Sequence, residues 1–200
     1  MSKNISKILS LVMALIFIFP VTIFADESTS DNSTVYAVPP GGGRVYPGTS
    51  VSVIPGDVLV TNDTRSSGLH GHAAIVGDWD GVTVSIEGSG YNPGLTSLDD
   101  WFKKRPNTKV MRWTGASSQA INAGFWAKSY VSTHPNATFS LVNTLGDQDK
   151  VYCSKIPWMA FYYGSNIAID GHSYIANMVY SPYAWLSASK MSAVATIGAM

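Results

Sequence analysis

One cysteine in 200 residues, Cys153, excludes an internal disulfide. Its thiol is a small buried hydrophobe, an intermolecular link or a group kept for its reactivity. Charge is scarce too: 13% of residues are charged, and the 13 basic and 13 acidic side chains cancel. A nucleic-acid binder shows a basic excess, so no nucleic-acid partner is expected. His70 and His72 form an H-x-H pair, but no third ligand follows at a recognisable spacing, so neither a metal nor another cofactor is expected. The glycines of VPPGGGR, residues 38–44, lack the preceding strand and the GK[ST] ending of a phosphate loop. There is no internal repeat.

What the chain does have begins with one long apolar run. Lys3 and Lys7 precede Ile8 to Phe24, which ends at the small residue Ala25. This is the layout of a secretory signal peptide; a membrane anchor is the alternative, because the run approaches the ~18 residues of a spanning helix. Pro20 and the polar DESTSDNST that follows favour cleavage. The expected organisation is a signal peptide over 1–25, a poorly ordered Ser-, Pro- and Gly-rich lead-in over 26–52 and one domain over 53–200. The mature protein would then be secreted or held in the cell envelope, without a membrane contact.

From Pro55 onward the texture is that of a folded domain. GDVLVT (56–61), AAIVGDW (73–79), VTVSIEG (82–88) and TKVMRWTG (108–115) read as strands. SSQAINAGFWAKSYVST (117–133) reads as a helix with Ser117 as its cap. ATFSLVN reads as a further strand, and Ser181-Pro182 as the start of a late helix. Strands bunched before helices predict an α+β fold.

Asp80-Gly81 between two β-rich runs predicts a two-residue hairpin. That register pairs Ile75 with Ile86, Val76 with Ser85 and Ala74 with Glu87. His72 then lies one diagonal step from Glu87, about 7–8 Å at the backbone, within reach of an imidazole and a carboxylate. His70 would point to the same face and is the rival base.

The cysteine lies in VYCSKIPWMAFYYG, 151–164, where Ile156, Met159, Ala160 and Tyr163 follow helical spacing. Proline is tolerated only in a first turn, because its ring clashes with the carbonyl four residues back. For Pro157 that residue is Cys153, so the helix is expected to start at Cys153 or Ser154. A thiol at a helix N-terminus is expected to have a lowered pKa, and the free N–H groups there can hold an oxyanion.

GDVLVT, GHAAIVGDW, IEGSG, TSLDDWF, VMRW, VYCSKIPW and SPYAWL, taken in this order, resemble the permuted NlpC/P60 cysteine peptidases, particularly the YiiX/YebB-like branch. The resemblance implies a circularly permuted papain-like core, a small antiparallel sheet or partial barrel packed on helices. It implies Cys153 as nucleophile, His72 as base and Glu87 as the orienting third residue, with Tyr152 lining the site. Lys155 departs from the C-S-E pattern of that branch and bears on substrate polarity. The expected activity is thioester-forming hydrolysis of an amide in a cell-wall or other small peptide, with the Cys153 or Ser154 N–H facing the oxyanion. The alternatives are acyl transfer or thioester hydrolysis on lipids by the same fold, and a non-catalytic wall-binding module.

Overall fold

The computed structural model describes residues 43–64 and 71–200. The apolar run, the lead-in up to residue 42 and His70 lie outside the described residues. No helix among the described residues is long and apolar enough to cross a membrane.

Six strands form one antiparallel sheet. They are β1 (Val58–Thr61), β2 (His72–Val76), β3 (Val82–Ser85), β4 (Gly94–Ser97), β5 (Thr108–Trp113) and β8 (Met191–Ile197), in the spatial order β4-β3-β2-β1-β5-β8. Two further strands of two residues, β6 (Thr138–Phe139) and β7 (Lys150–Val151), pair in parallel. The helices are α1 (Leu98–Lys104), α2 (Ser117–Thr133) and α3 (Lys155–Ser165). The fold is α+β.

Every residue of β1 and β2 is buried, and successive side chains enter different cores. Val58, Val60, Ala73 and Ile75 join the core built with α2 and α3, where Trp158, Phe161 and Trp185 are buried. Leu59, Ala74 and Val76 face a second core with Leu98, Trp101 and Phe102 of α1. The sheet is covered on both faces, which is why these strands read as continuous apolar runs.

The second core also contains Tyr46 and Val53. Val45 bridges Ser52, and the Tyr46 hydroxyl donates to Asp57 Oδ2 at 2.7 Å. Packing thus reaches into the stretch expected to be a poorly ordered lead-in. Asp57 is the buried centre of an ion pair: Arg112 reaches it through Nε at 2.8 Å and Nη2 at 2.7 Å.

Two boundaries differ from expectation. Ala116, not Ser117, is the residue before α2, and it makes no side-chain cap bond. The hairpin joining β2 to β3 pairs Ile75 with Val84 and Val76 with Thr83, not Ile75 with Ile86. Gly77 N–H donates to Val82 O, so four residues form the loop. The Asp78 side chain accounts for this: Oδ1 accepts from Val82 N–H and Oδ2 from Lys128 Nζ of α2. A shift of two residues keeps every side chain on its expected face. Continued along the strands, it sets Glu87 level with His72 rather than one diagonal step away.

α2 approaches the sheet so closely that a methyl group on Gly124 would lie 2.6 Å from Val76 O and from Gly56 N. This contact holds the helix against the end of β2.

Candidate active site

α3 begins at Lys155, with Cys153 and Ser154 in the turn that leads into it. The helix starts one or two residues later than expected, and Pro157 falls in its first turn. Two bonds hold the turn: the N–H groups of Lys155 and Ile156 both donate to Tyr152 O. Ser154 is fully buried; its hydroxyl donates to Tyr180 O at 2.5 Å, and its carbonyl accepts from Trp185 Nε1 at 3.2 Å. Tyr152 donates its hydroxyl to Met178 O and accepts from Tyr180 N–H. The residues flanking the cysteine are therefore pinned to the 178–185 segment, which fixes the direction of the thiol.

Cys153 is partly exposed on a groove of about 1060 Å³. The same groove is lined by His72, Glu87, Tyr152 and Ser154, so the structure brings these four residues together with the cysteine. Ile86, Phe139, Leu141 and Val179 give it apolar walls, and Lys104 and Arg105 supply positive charge. Leu141 and Val179 remain exposed at its mouth.

The sulfur lies beside the backbone N–H groups of Ala73, Ser154 and Cys153 itself, which favour thiolate. Burial outweighs them and pushes the thiol pKa up, opposite to the expected lowering. His72 is buried, and its imidazole stacks on Trp101 with ring centroids 5.6 Å apart. Burial first and the nearby Arg105 second push its pKa down to about 4, against the pull of Glu87. Both shifts favour the uncharged forms, thiol and neutral imidazole.

Glu87 is near His72 but engaged elsewhere. Its Oε2 accepts from Arg105 Nη2 at 2.5 Å, while His72 Nε2 is buried with no hydrogen-bond partner. The contact expected of a Cys–His–Glu triad is not made in this arrangement. Arg105 has no counterpart in the expected site: within Lys103-Lys104-Arg105 the two lysines are exposed and the arginine is buried. The sequence signal that could have separated it is Pro106, which ends α1 and turns Arg105 back toward Trp101.

Lys155 does not face substrate. Its ammonium is buried and donates to Asn143 Oδ1, Thr144 O and Lys150 O at 2.9, 2.7 and 2.6 Å. It ties α3 to the loop that carries Leu141. Burial pushes its pKa down to about 8.

A family model described as lipoprotein N-acylation protein, LnsA-like, matches residues 6–190. The chain belongs to that family. The matching model is not NlpC/P60 itself, so the resemblance seen in the sequence holds at the level of fold. This LnsA-like chain is similar to the crystal structure titled metalloprotein yiiX from Escherichia coli O157:H7, with a TM-score of 0.50 and 14% identity over 72% of this chain and 97% of that one. YiiX has a permuted NlpC/P60-like fold. An uncharacterized 30.3 kDa protein of Bacillus thuringiensis is 29% identical over 120 residues. The match takes in 55% of the LnsA-like chain and 44% of the Bacillus protein, so the chain spans less than half of that relative's length. The word metalloprotein belongs to the E. coli protein. Among the described residues no group of three or more His, Cys, Asp and Glu side chains could hold a metal ion.

Proposed function

We propose that the protein is a thiol acyltransferase of lipoprotein N-acylation, with Cys153 carrying the acyl group as a thioester. The observation that carries this reading is the groove: Cys153 and His72 share it, and apolar side chains form its walls. An acyl chain gains from such walls about 0.8 kcal/mol per buried CH2. A small polar peptide gains much less.

The Cys153 sulfur attacks the ester carbonyl of a lipid donor while its proton passes to His72, so no standing thiolate is needed. The N–H groups of Cys153 and Ser154, outside the helical ladder of α3, face the developing oxyanion. Collapse of the tetrahedral adduct breaks the ester C–O bond, and the proton on His72 leaves with the alcohol. An amine then attacks the thioester, His72 takes its proton, and the amide departs as the sulfur recovers a proton. Water in place of the amine would give the hydrolase expected from the peptidase resemblance.

The test is mass spectrometry of the full chain in detergent, incubated with a diacyl phospholipid and a diacylglyceryl-cysteine peptide. The expected result is a hydroxylamine-sensitive acyl adduct on Cys153 and an acylated peptide amine, both absent in Cys153→Ala. Acyl transfer that persists in Cys153→Ala, or cleavage of cell-wall peptides with no acyl adduct from lipid, overturns the reading.

A further inference from the structure

Arg105 is held in an unusual way for a cation on the wall of a groove. It follows the last residue of α1; its N–H donates to Trp101 O at 2.8 Å, and its carbonyl accepts from Thr108 Oγ1 at 2.8 Å. Its guanidinium lies 4.6 Å from the centre of the Trp101 indole. The residue is 7% exposed, yet of its three nitrogens only Nη2 has a partner; Nε and Nη1 are buried without one. Unpaired buried donors are costly, and more so on a charged group. A guanidinium fixed with donors to spare is suited to an oxyanion that it can hold through two bonds.

The present occupant is Glu87, and it is loosely held. Its side chain is 39% exposed against 9% for that of Arg105. It is followed by Gly88-Ser89-Gly90, where both glycines have positive φ and open space around the Cβ position. Lys104, exposed, also lines the groove and adds a second positive charge. Across from the pair, His72 Nε2 lacks a partner. With Glu87 drawn to Arg105 through Oε2, its carboxylate makes no bond to His72 Nε2 in this arrangement.

We propose that Arg105, with Lys104 beside it, is the seat for a phosphate diester of the acyl donor, and that Glu87 occupies this seat until the phosphate takes it. The displaced carboxylate is then free to accept from His72 Nε2, which completes the orienting contact missing in the resting arrangement. The proposal rests on the acyl-transfer reading for the nature of the ligand. Binding tests it without turnover.

The experiment is calorimetry on the full chain carrying Cys153→Ala, titrated with dihexanoylphosphatidylglycerol, with dihexanoylglycerol and with inorganic phosphate. The phosphate-bearing lipid is expected to bind at least about tenfold more tightly than the neutral one, with Arg105→Gln removing the difference. Glu87→Gln keeps the arginine and removes its competitor, so affinity for the phosphate lipid is expected to rise about threefold or more. Equal binding of the two lipids, a preference that survives Arg105→Gln, or weaker binding in Glu87→Gln overturns the seat. Inorganic phosphate that binds as tightly as the lipid, and is lost with Arg105→Gln, overturns the lipid as its source. A protein that shows the expected binding pattern but forms no adduct on Cys153 loses the acyl-transfer reading while the anion seat stands.

Discussion

The imidazole of His72 stacks on the indole of Trp101, with centroids 5.6 Å apart and planes 23° from parallel, and the guanidinium of Arg105 lies over the same indole. Burial of the imidazole and the nearby positive charge of Arg105 both disfavour its protonation. With a pKa near 4 in the fold and about 6.5 unfolded, the unfolded chain binds more protons between these values. Stability should therefore rise with pH across that window and fall on acidification from 6.5 to 4, by roughly 3 kcal/mol from this residue. Urea melts of wild type and His72→Gln at pH 7 and pH 4.5 check this. The wild type should lose more stability than the variant, and equal losses would refute the lowered pKa.

Cys153 should behave as a hindered thiol at rest. Its pKa is raised by burial, so the rate of iodoacetamide alkylation should inflect above the free-thiol value of about 8.5. His72→Ala should leave that inflection nearly in place while lowering acyl transfer by about 10²–10⁴-fold, the usual worth of a general base. An inflection below 8.5 that moves upward in the variant would instead indicate a resting ion pair.

Lys155 ties the start of α3 to the loop between β6 and β7 through three acceptors. Lys155→Met keeps most of the volume and removes the donors, so Asn143 Oδ1, Thr144 O and Lys150 O lose their partner. The expected cost is about 1–3 kcal/mol, measured by urea unfolding. Acyl transfer should also fall, because the same loop carries the groove residue Leu141.

Asp57→Asn should cost about 3 kcal/mol or more, since it leaves the Arg112 guanidinium beside a neutral amide in a buried site. Tyr46→Phe, which removes one hydrogen bond to the same carboxylate, should cost about 1 kcal/mol. Thermal melts will separate the two. Near-equal losses would mean that the Tyr46 bond, not the ion pair, secures the 45–53 segment.

Gly124→Ala should destabilise despite the better helix propensity of alanine. The new methyl would meet backbone atoms of Gly56 and Val76 at 2.6 Å, and neither can move without shifting a strand end. The size of the loss reports how rigidly α2 is seated, and a gain in melting temperature would show that it is not.

Much of the fold was legible because burial follows local pattern. Four of the six sheet strands and α2 follow from runs of β-branched and apolar residues, and Pro157 placed the start of α3 to within two residues. β4 and β8 were missed. GLTS is short and half polar, and MSAVATI is partly exposed along its length, so neither carries the apolar run of a central strand. The hairpin register was off by two because Asp78 bonds across the loop and to a helix 50 residues away. No local turn rule contains that contact.

Within the candidate site, Cys153 and His72 could be picked from the sequence because residue type, scarcity and helix-start chemistry are local properties. Their protonation was not local. A helix N-terminus argues for a lowered thiol pKa, yet desolvation by the surrounding core outweighs it. The run Lys103-Lys104-Arg105 looks uniform in one dimension, and only the packing of α1 on β3 and β4 separates the buried arginine from its exposed neighbours. The amino-acid order determined which residues are candidates for chemistry and which elements present them. Tertiary structure alone decided which charges meet, because the energy of a charge depends on burial and on partners brought from distant parts of the chain.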